Sequence, residues 1–362
     1  MLNKIILFTF FISYSLHVSA QANSVNTDLL LSFPDGTEIA IGIYEHGEIK
    51  KYGYTVSSNQ LVISQNADKL FEIGSITKVF TTLSTIQVLD RKEIDIDSAI
   101  SAIITDRYIS DKISFRKLMT HTAGFPKMPP NFIWSALRSP SDPFLHYSEN
   151  MMYRFLDGLE PKKKEIFQYS NLGMGLIGHT VAQMEYKSLA SVMHDEVFGP
   201  LKMSNTSLGL DENMYQDVIN PVGRNGKPKR TWEFSEVTKG AGNGYSNIDD
   251  MTLFLEFLLD GRNASKEVYK TILNMEKEQF VISEKESMGL GWRIYRNKLE
   301  IPYHGGRTYG FKSFMAYHRE REKGIVVLTN IKGLSSRYLL ILKEMCYQFV
   351  ESSDATIHSG NE

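Results

Sequence analysis

Residues 71–80 read Phe71-Glu-Ile-Gly-Ser-Ile-Thr-Lys-Val-Phe80, and the rest of the chain is interpreted outward from this run. At its centre, Ser75 and Lys78 are three residues apart. At a helix start that spacing puts both side chains on one face of the first turn, with about 5–6 Å between Cβ atoms. A serine hydroxyl is a poor nucleophile near neutral pH and needs a base within hydrogen-bond reach. A lysine serves as that base when desolvation or nearby positive charge lowers its pKa. The helix N-terminus supplies backbone N–H groups that help stabilise an oxyanion. The pair therefore has the form of a nucleophile and its activator.

Two common residues at fixed spacing also recur by chance. Ser114-Phe-Arg-Lys117 is such a recurrence, and reads as a capped helix with a solvated charged face. A second motif, Tyr169-Ser170-Asn171, precedes the glycine-punctuated apolar run Leu172-Gly-Met-Gly-Leu-Ile-Gly178. Its look-alike Tyr245-Ser-Asn247 has a structural explanation: Ser246 followed by Asp249 reads as an N-cap opening an amphipathic helix. Tyr295-Arg-Asn297 lies in a charged, strand-like stretch. A third motif, His304-Gly305-Gly306-Arg307-Thr308-Tyr309-Gly310-Phe311, carries adjacent glycines that allow a backbone to approach a ligand closely. Alone, it reads more readily as a tight turn with a surface histidine.

In this order, the three motifs resemble the serine β-lactamase and penicillin-binding protein family, especially its class C and D,D-peptidase/esterase-related branch. The pattern there is Ser-x-x-Lys, then Tyr-x-Asn, then Lys-Thr-Gly or His/Trp-x-Gly. Leu118-Met-Thr-His-Thr-Ala-Gly-Phe-Pro126 is similar to that family's Leu-Thr-His-Thr-Ser-Gly-Leu-Pro loop. Phe198-Gly-Pro-Leu-Lys-Met-Ser-Asn-Thr206, Gly240-Ala-Gly-Asn-Gly-Tyr-Ser246 and Gly289-Leu-Gly-Trp292 resemble three further family stretches, so the resemblance covers nearly the whole mature chain.

The resemblance implies acyl transfer. Ser75 attacks a carbonyl, Lys78 accepts or shares its proton, and Tyr169 shuttles it to the leaving group. Asn171 holds Lys78 and the substrate amide oxygen, and the backbone N–H groups of Ser75 and Arg307 form the oxyanion hole. The third motif departs from the pattern: His304 stands where class C enzymes have lysine, and Gly305 where they have threonine. An unperturbed histidine titrates near pH 6.5, so His304 as a carboxylate reader implies anion binding that strengthens as pH falls. Arg307 is a possible replacement anion binder. The expected function is an exported serine hydrolase acting on amide bonds of D-amino-acid or peptidoglycan-like peptides or β-lactams. An esterase of the same family and a non-catalytic penicillin-binding or sensor protein are the alternatives.

Composition narrows the classes further. The chain has 362 residues, 42% of them hydrophobic, enough for one large domain or two closely packed lobes. The formal net charge of −2 gives no electrostatic footprint for nucleic acid, and the expected partner is a small-molecule or peptide substrate. Oligomeric state is left open. Residues 1–20 read as a signal peptide: Lys4, an apolar stretch, then Val18-Ser-Ala20 before the cleavage point. No later apolar run approaches the roughly 18 residues of a membrane-spanning helix, so a periplasmic or secreted mature protein is expected. Cys346 is the only cysteine, which excludes an intramolecular disulfide. Zinc-protease, paired-cysteine and phosphate-loop motifs are absent, so neither metal nor cofactor is expected. The Gly-x-Ser-x-Gly elbow of α/β-hydrolases is absent too.

Patterning places the motifs. Residues 38–44 and 48–54 flank Glu45-His46-Gly47 as a β-hairpin. Residues 312–318 and 324–330 form a second strand pair, and residues 335–350 an amphipathic helix covering the sheet. Strands at both ends with helices between give an α/β (α+β) class: an antiparallel sheet flanked by helices, plus a mostly helical lobe. The catalytic domain is expected over residues 25–350, with a sheet lobe at about 25–70 and 240–350, a helical lobe at about 71–239, and a tail at 351–362.

Overall fold

A computed structural model describes residues 25–161, 164–221, 231–262, 265–333 and 335–353. The expected signal peptide, all but the start of the tail, and Lys162 and Lys163 lie outside them. Strand β1 (Glu38–Glu45) turns through His46 and Gly47 into β2 (Glu48–Ser57), with Glu45 opposite Glu48. Both turn residues have positive φ, 50° and 84°, the geometry of a type I′ hairpin whose twist matches its strands. β3 (Gln60–Ile63) extends this meander. β4 (Phe71–Glu72) then leads through a 3₁₀ turn, Gly74–Ile76, into helix α1 (Thr77–Arg91).

Five helices follow: α2 (Phe115–Met119), α3 (Phe132–Arg138), α4 (Glu149–Leu156), α5 (Asn171–Glu185) and α6 (Leu189–Met193). Short strand β6 (Gly244–Ser246) pairs with β5 (Ser207–Leu208) on one side and β4 on the other in a small second sheet. Helices α7 (Ile248–Asp260) and α8 (Lys266–Met275) return the chain to the main sheet. It continues with β7 (Phe280–Ser283), β8 (Glu286–Met288), β9 (Arg293–Arg296), β10 (Glu300–Arg307), β11 (Lys312–His318) and β12 (Lys323–Thr329), and ends on α9 (Arg337–Glu351).

The main sheet is antiparallel throughout, in the order β3-β2-β1-β12-β11-β10-β9-β8-β7. The expected hairpin, C-terminal strand pair and closing helix are all present, and β1 from the start of the chain lies beside β12 from its end. The central strands are apolar on both faces because both are covered. Ala40, Tyr44, Val326 and Leu328 face the core shared with α1, α7 and α8; Ile39, Ile41, Ile43, Ile325 and Val327 face α9. Two details differ from the sequence expectation. The return at residue 240 begins with the small sheet and two helices. The cap of α7 is Asn247, whose side chain accepts from the Asp250 N–H at 2.9 Å, whereas Ser246 ends β6 and bonds Thr206.

Helix α1 is buried along nearly its whole length, although it is rich in threonine and serine. Three of its hydroxyls are satisfied by backbone, Thr81 and Thr85 bonding Gly240 O and Thr81 O at 2.7 and 2.6 Å and Ser84 bonding Thr81 O at 3.1 Å, whereas the buried Thr82 hydroxyl has no partner among the described residues. The first turn of α1 is thus a fixed platform.

Candidate active site

Gly74 has φ 52°, and a Cβ there would lie 2.8 Å from the Arg307 nitrogen. A Cβ on Gly306 would lie 2.0 Å from Ile73 O. Only glycine at both positions lets the Ile73–Ser75 backbone press against the end of β10. Ser313 Oγ donates to Ile73 O at 2.7 Å, and Thr77 Oγ1 donates to Gly74 O at 2.6 Å while accepting from the Gly244 N–H at 2.9 Å. The chain entering Ser75 is held from three sides, with the Arg307 amide beside it.

Lys78 is fully buried, and its Nζ donates to Ser75 Oγ at 3.0 Å, Asn171 Oδ1 at 3.0 Å and Ala241 O at 2.5 Å. Nζ also stands 5.0 Å from the centre of the Tyr169 ring. Burial lowers the lysine pKa, Tyr169 opposes that shift, and Lys127 adds to it. The ammonium's three donor positions have three acceptors, so the amine has one orientation. Ser75, Lys78, Tyr169 and Asn171, drawn from two separate motifs, therefore converge.

Ser170 explains how Tyr169 and Asn171 are presented. It caps α5, accepting from the Gly173 N–H at 3.0 Å and donating to Pro126 O at 2.8 Å. The Asn171 N–H bonds Lys127 O at 3.0 Å. Ser114, by contrast, caps α2 by accepting from the Lys117 N–H at 3.4 Å. Tyr245 is buried and donates to Glu72 Oε1 at 3.2 Å.

His304 is buried; Nδ1 lies 3.1 Å from Gly305 O, and Nε2 is buried without a hydrogen-bond partner. Burial, with Lys78 and Arg293 nearby, pushes its pKa down to about 3, which favours a neutral imidazole. Gly305 differs in direction: a Cβ there would meet Phe314 and Leu339, on the α9 side of the sheet. The two positions that would replace lysine and threonine thus face opposite sides of β10, as alternation along a strand requires.

Three contributors were not singled out by sequence. His121, at φ 59°, packs its ring 4.5 Å from that of Tyr169, and its Nδ1 accepts the Ser170 N–H at 3.3 Å. That bond places the neutral ring's proton on Nε2. Burial, Lys78, His304 and Arg293 hold its pKa well below 6.5. Arg293 pairs with Glu286 at 2.6 Å, and its charge is felt at Tyr169 and His304. Glu72 lies within the opening run itself. Its burial and partners come from long-range packing, for which the local sequence holds no signal.

No group of side chains suited to holding a metal ion exists among the described residues, and none of their helices is long and apolar enough to cross a membrane.

Comparison with known proteins bears on the family and the fold. The family model described as Beta-lactamase matches residues 35–341. A Pseudomonas fluorescens protein named Beta-lactamase is 21% identical over 83% of this chain and 90% of its own length. Protein flp of Staphylococcus aureus (strain MW2) is 22% identical over 84% of this chain, which spans only 61% of that longer relative. A solved class C beta lactamase from Rhodobacter sphaeroides shares the fold, with a TM-score of 0.71 at 19% identity, over 86% of this chain and 93% of the other.

Proposed function

The chain belongs to the beta-lactamase family, and on that footing we propose that it is a serine hydrolase working through an acyl-enzyme on Ser75. The observation that carries the reading is the buried Lys78 amine, 3.0 Å from the Ser75 hydroxyl. In its neutral form Lys78 takes the hydroxyl proton as Oγ attacks the substrate carbonyl. The developing oxyanion lies between the Ser75 and Arg307 amides, where each donor is worth about 3 kcal/mol of transition-state stabilisation. Tyr169 passes a proton to the leaving group, and Asn171 keeps Lys78 aimed while presenting its amide to the substrate. Water then attacks the acyl-enzyme along the reverse proton path.

Amides of D-amino-acid or peptidoglycan-like peptides, and β-lactams, are the proposed substrates; the relative named as a beta-lactamase supports including the last. One observation favours the esterase alternative. His304 is uncharged and Gly305 faces α9, so neither of these two positions offers a lysine-like cation to a substrate carboxylate, and Arg307 is the cation left in the third motif. The leader read at residues 1–20 supports export to the periplasm or medium. A stalled, non-catalytic role is disfavoured by a Lys78 amine already in proton-transfer range.

The test is a panel of p-nitrophenyl esters, D-alanyl peptides and a chromogenic cephalosporin, run on the wild type and Lys78→Ala. Turnover of at least one class, lost in Lys78→Ala, is expected. Stoichiometric labelling without turnover of any substrate would favour the sensor reading.

A further inference from the structure

Glu72 is buried three residues before Ser75, where three segments meet. Its Oε1 accepts the Trp232 backbone N–H at 2.9 Å and the Tyr245 hydroxyl at 3.2 Å, and the Thr308 hydroxyl also bonds the carboxylate. Thr308 Oγ1 accepts the Phe311 N–H at 3.2 Å, which leaves its own proton for Glu72. The Thr308 N–H in turn donates to Phe311 O at 3.1 Å, closing the turn between β10 and β11. This turn follows Arg307 directly, and its Tyr309 ring lies 6.4 Å from the Trp232 ring. One carboxylate thus gathers β6, the segment around Trp232 and the turn that fixes the Arg307 amide. Burying a carboxyl is costly, and the Ser75–Lys78–Tyr169 chemistry makes no use of it as an acid or base.

We propose that Glu72 is a positioning residue for acyl transfer: by holding Thr308, Trp232 and Tyr245 it sets the Arg307 amide opposite Ser75. The proposal rests on the acyl-enzyme reading above. Three donors converge on Glu72, a demand that only the acceptor-only carboxylate meets. Protonation puts a donor among donors, so one partner lets go. Burial and Asp142 raise the Glu72 pKa, to about 7, against its hydrogen bonds from Thr308, Trp232 and Tyr245. The facing groups come from every side. Tyr245 on β6 is a neutral donor, its own pKa raised by burial and Glu72. Asp142 accepts the Glu233 N–H at 2.8 Å. Lys312 on β11 donates to Thr308 O, Phe311 O, Ile331 O and Gly333 O, and shares the field of Glu72 and Arg307. As pH falls through neutrality, Glu72 takes up its proton and releases the turn, a loss of activity separate from the protonation of Lys78 that blocks it as a base.

The test measures kcat and KM per active site, with sites counted by fluorophosphonate labelling, for wild type, Glu72→Gln, Thr308→Val and Thr308→Ser across pH. Glu72→Gln is expected to lower kcat by about 10–100-fold, a partial loss of one oxyanion donor, with little change in KM. The loss of kcat/KM near pH 7 that protonation of Glu72 causes in the wild type should be missing from Glu72→Gln. Thr308→Val should act in the same direction, and Thr308→Ser should restore activity. A merely structural role would lower Tm and the labelled fraction while leaving kcat per labelled site and the limb unchanged; that result overturns the proposal. If Glu72→Gln does not fold, the Thr308 pair decides in the same way. Failure of wild-type Ser75 to label would reject the acyl-enzyme reading itself, whereas normal labelling with unaltered Glu72→Gln kinetics rejects only the positioning role.

Discussion

At the scale of the residue, the site turns on two buried groups with lowered pKa values and different consequences. Under the proposed mechanism Lys78 acts as the neutral amine, which desolvation favours, so kcat/KM should rise with pH through its lowered pKa. Lys78→Ala and Tyr169→Phe should each slow acylation by about 10²–10⁴-fold with the fold intact, as single-turnover labelling kinetics and circular dichroism would check. Retained activity in Tyr169→Phe would move the proton shuttle to another group. His304 acts on stability. Its folded pKa, about 3, lies below the 6.5 of the unfolded chain, so the unfolded state takes up the proton first. The stability it allows is complete above pH 6.5 and is lost as pH falls toward 3, by up to about 1.4 kcal/mol per pH unit. Denaturant titrations between about pH 6 and 4 should therefore show a shallower acid loss for His304→Gln than for the wild type. Glu72, with a raised folded pKa, works in the opposite sense just below neutrality, so the comparison must be between variants rather than absolute slopes.

At the scale of the element, two capping serines differ in what they position. Ser114 and Ser170 each cap a helix, but only Ser170 lies between two site residues and also ties to Pro126 O. Ser114→Ala should cost about 1 kcal/mol of stability and leave labelling rates unchanged. Ser170→Ala should cost a similar amount and also slow labelling, because α5 no longer presents Asn171 to Lys78. Equal labelling rates in the two variants would contradict that assignment. The same contrast shows what local sequence carries. The hairpin around His46-Gly47, the helix starts and the order of the three motifs are local signals, and all are found. The β4–β6 pairing and the buried Glu72 depend on partners more than 100 positions away, as in the Trp232–Glu72 bond at a separation of 160. His304 was legible as a site position, but its charge was not, because burial is a property of the assembled sheet. The one-residue shift of the α7 cap from Ser246 to Asn247 has a simpler cause: Ser246 is already engaged by Thr206 at the end of β6.

At the scale of the whole molecule, an antiparallel sheet that pairs β1 with β12 carries β10 against the 3₁₀ turn Gly74–Ile76, where Ser75 precedes α1. Because His304 stays neutral, the ratio of KM for an anionic cephalosporin to KM for a neutral ester should not strengthen as pH falls through about 6.5. A clear improvement for the anion alone would restore His304 as a carboxylate reader. The central claim, however, is that this architecture makes Ser75 the acylated residue. Its most direct measurement is peptide mapping after treatment with a fluorophosphonate or a labelled penicillin, in the wild type and in Ser75→Ala. The account expects one label per chain, on the peptide bearing Ser75, and none in Ser75→Ala. Label on Ser114, or equal labelling of Ser75→Ala, would contradict it.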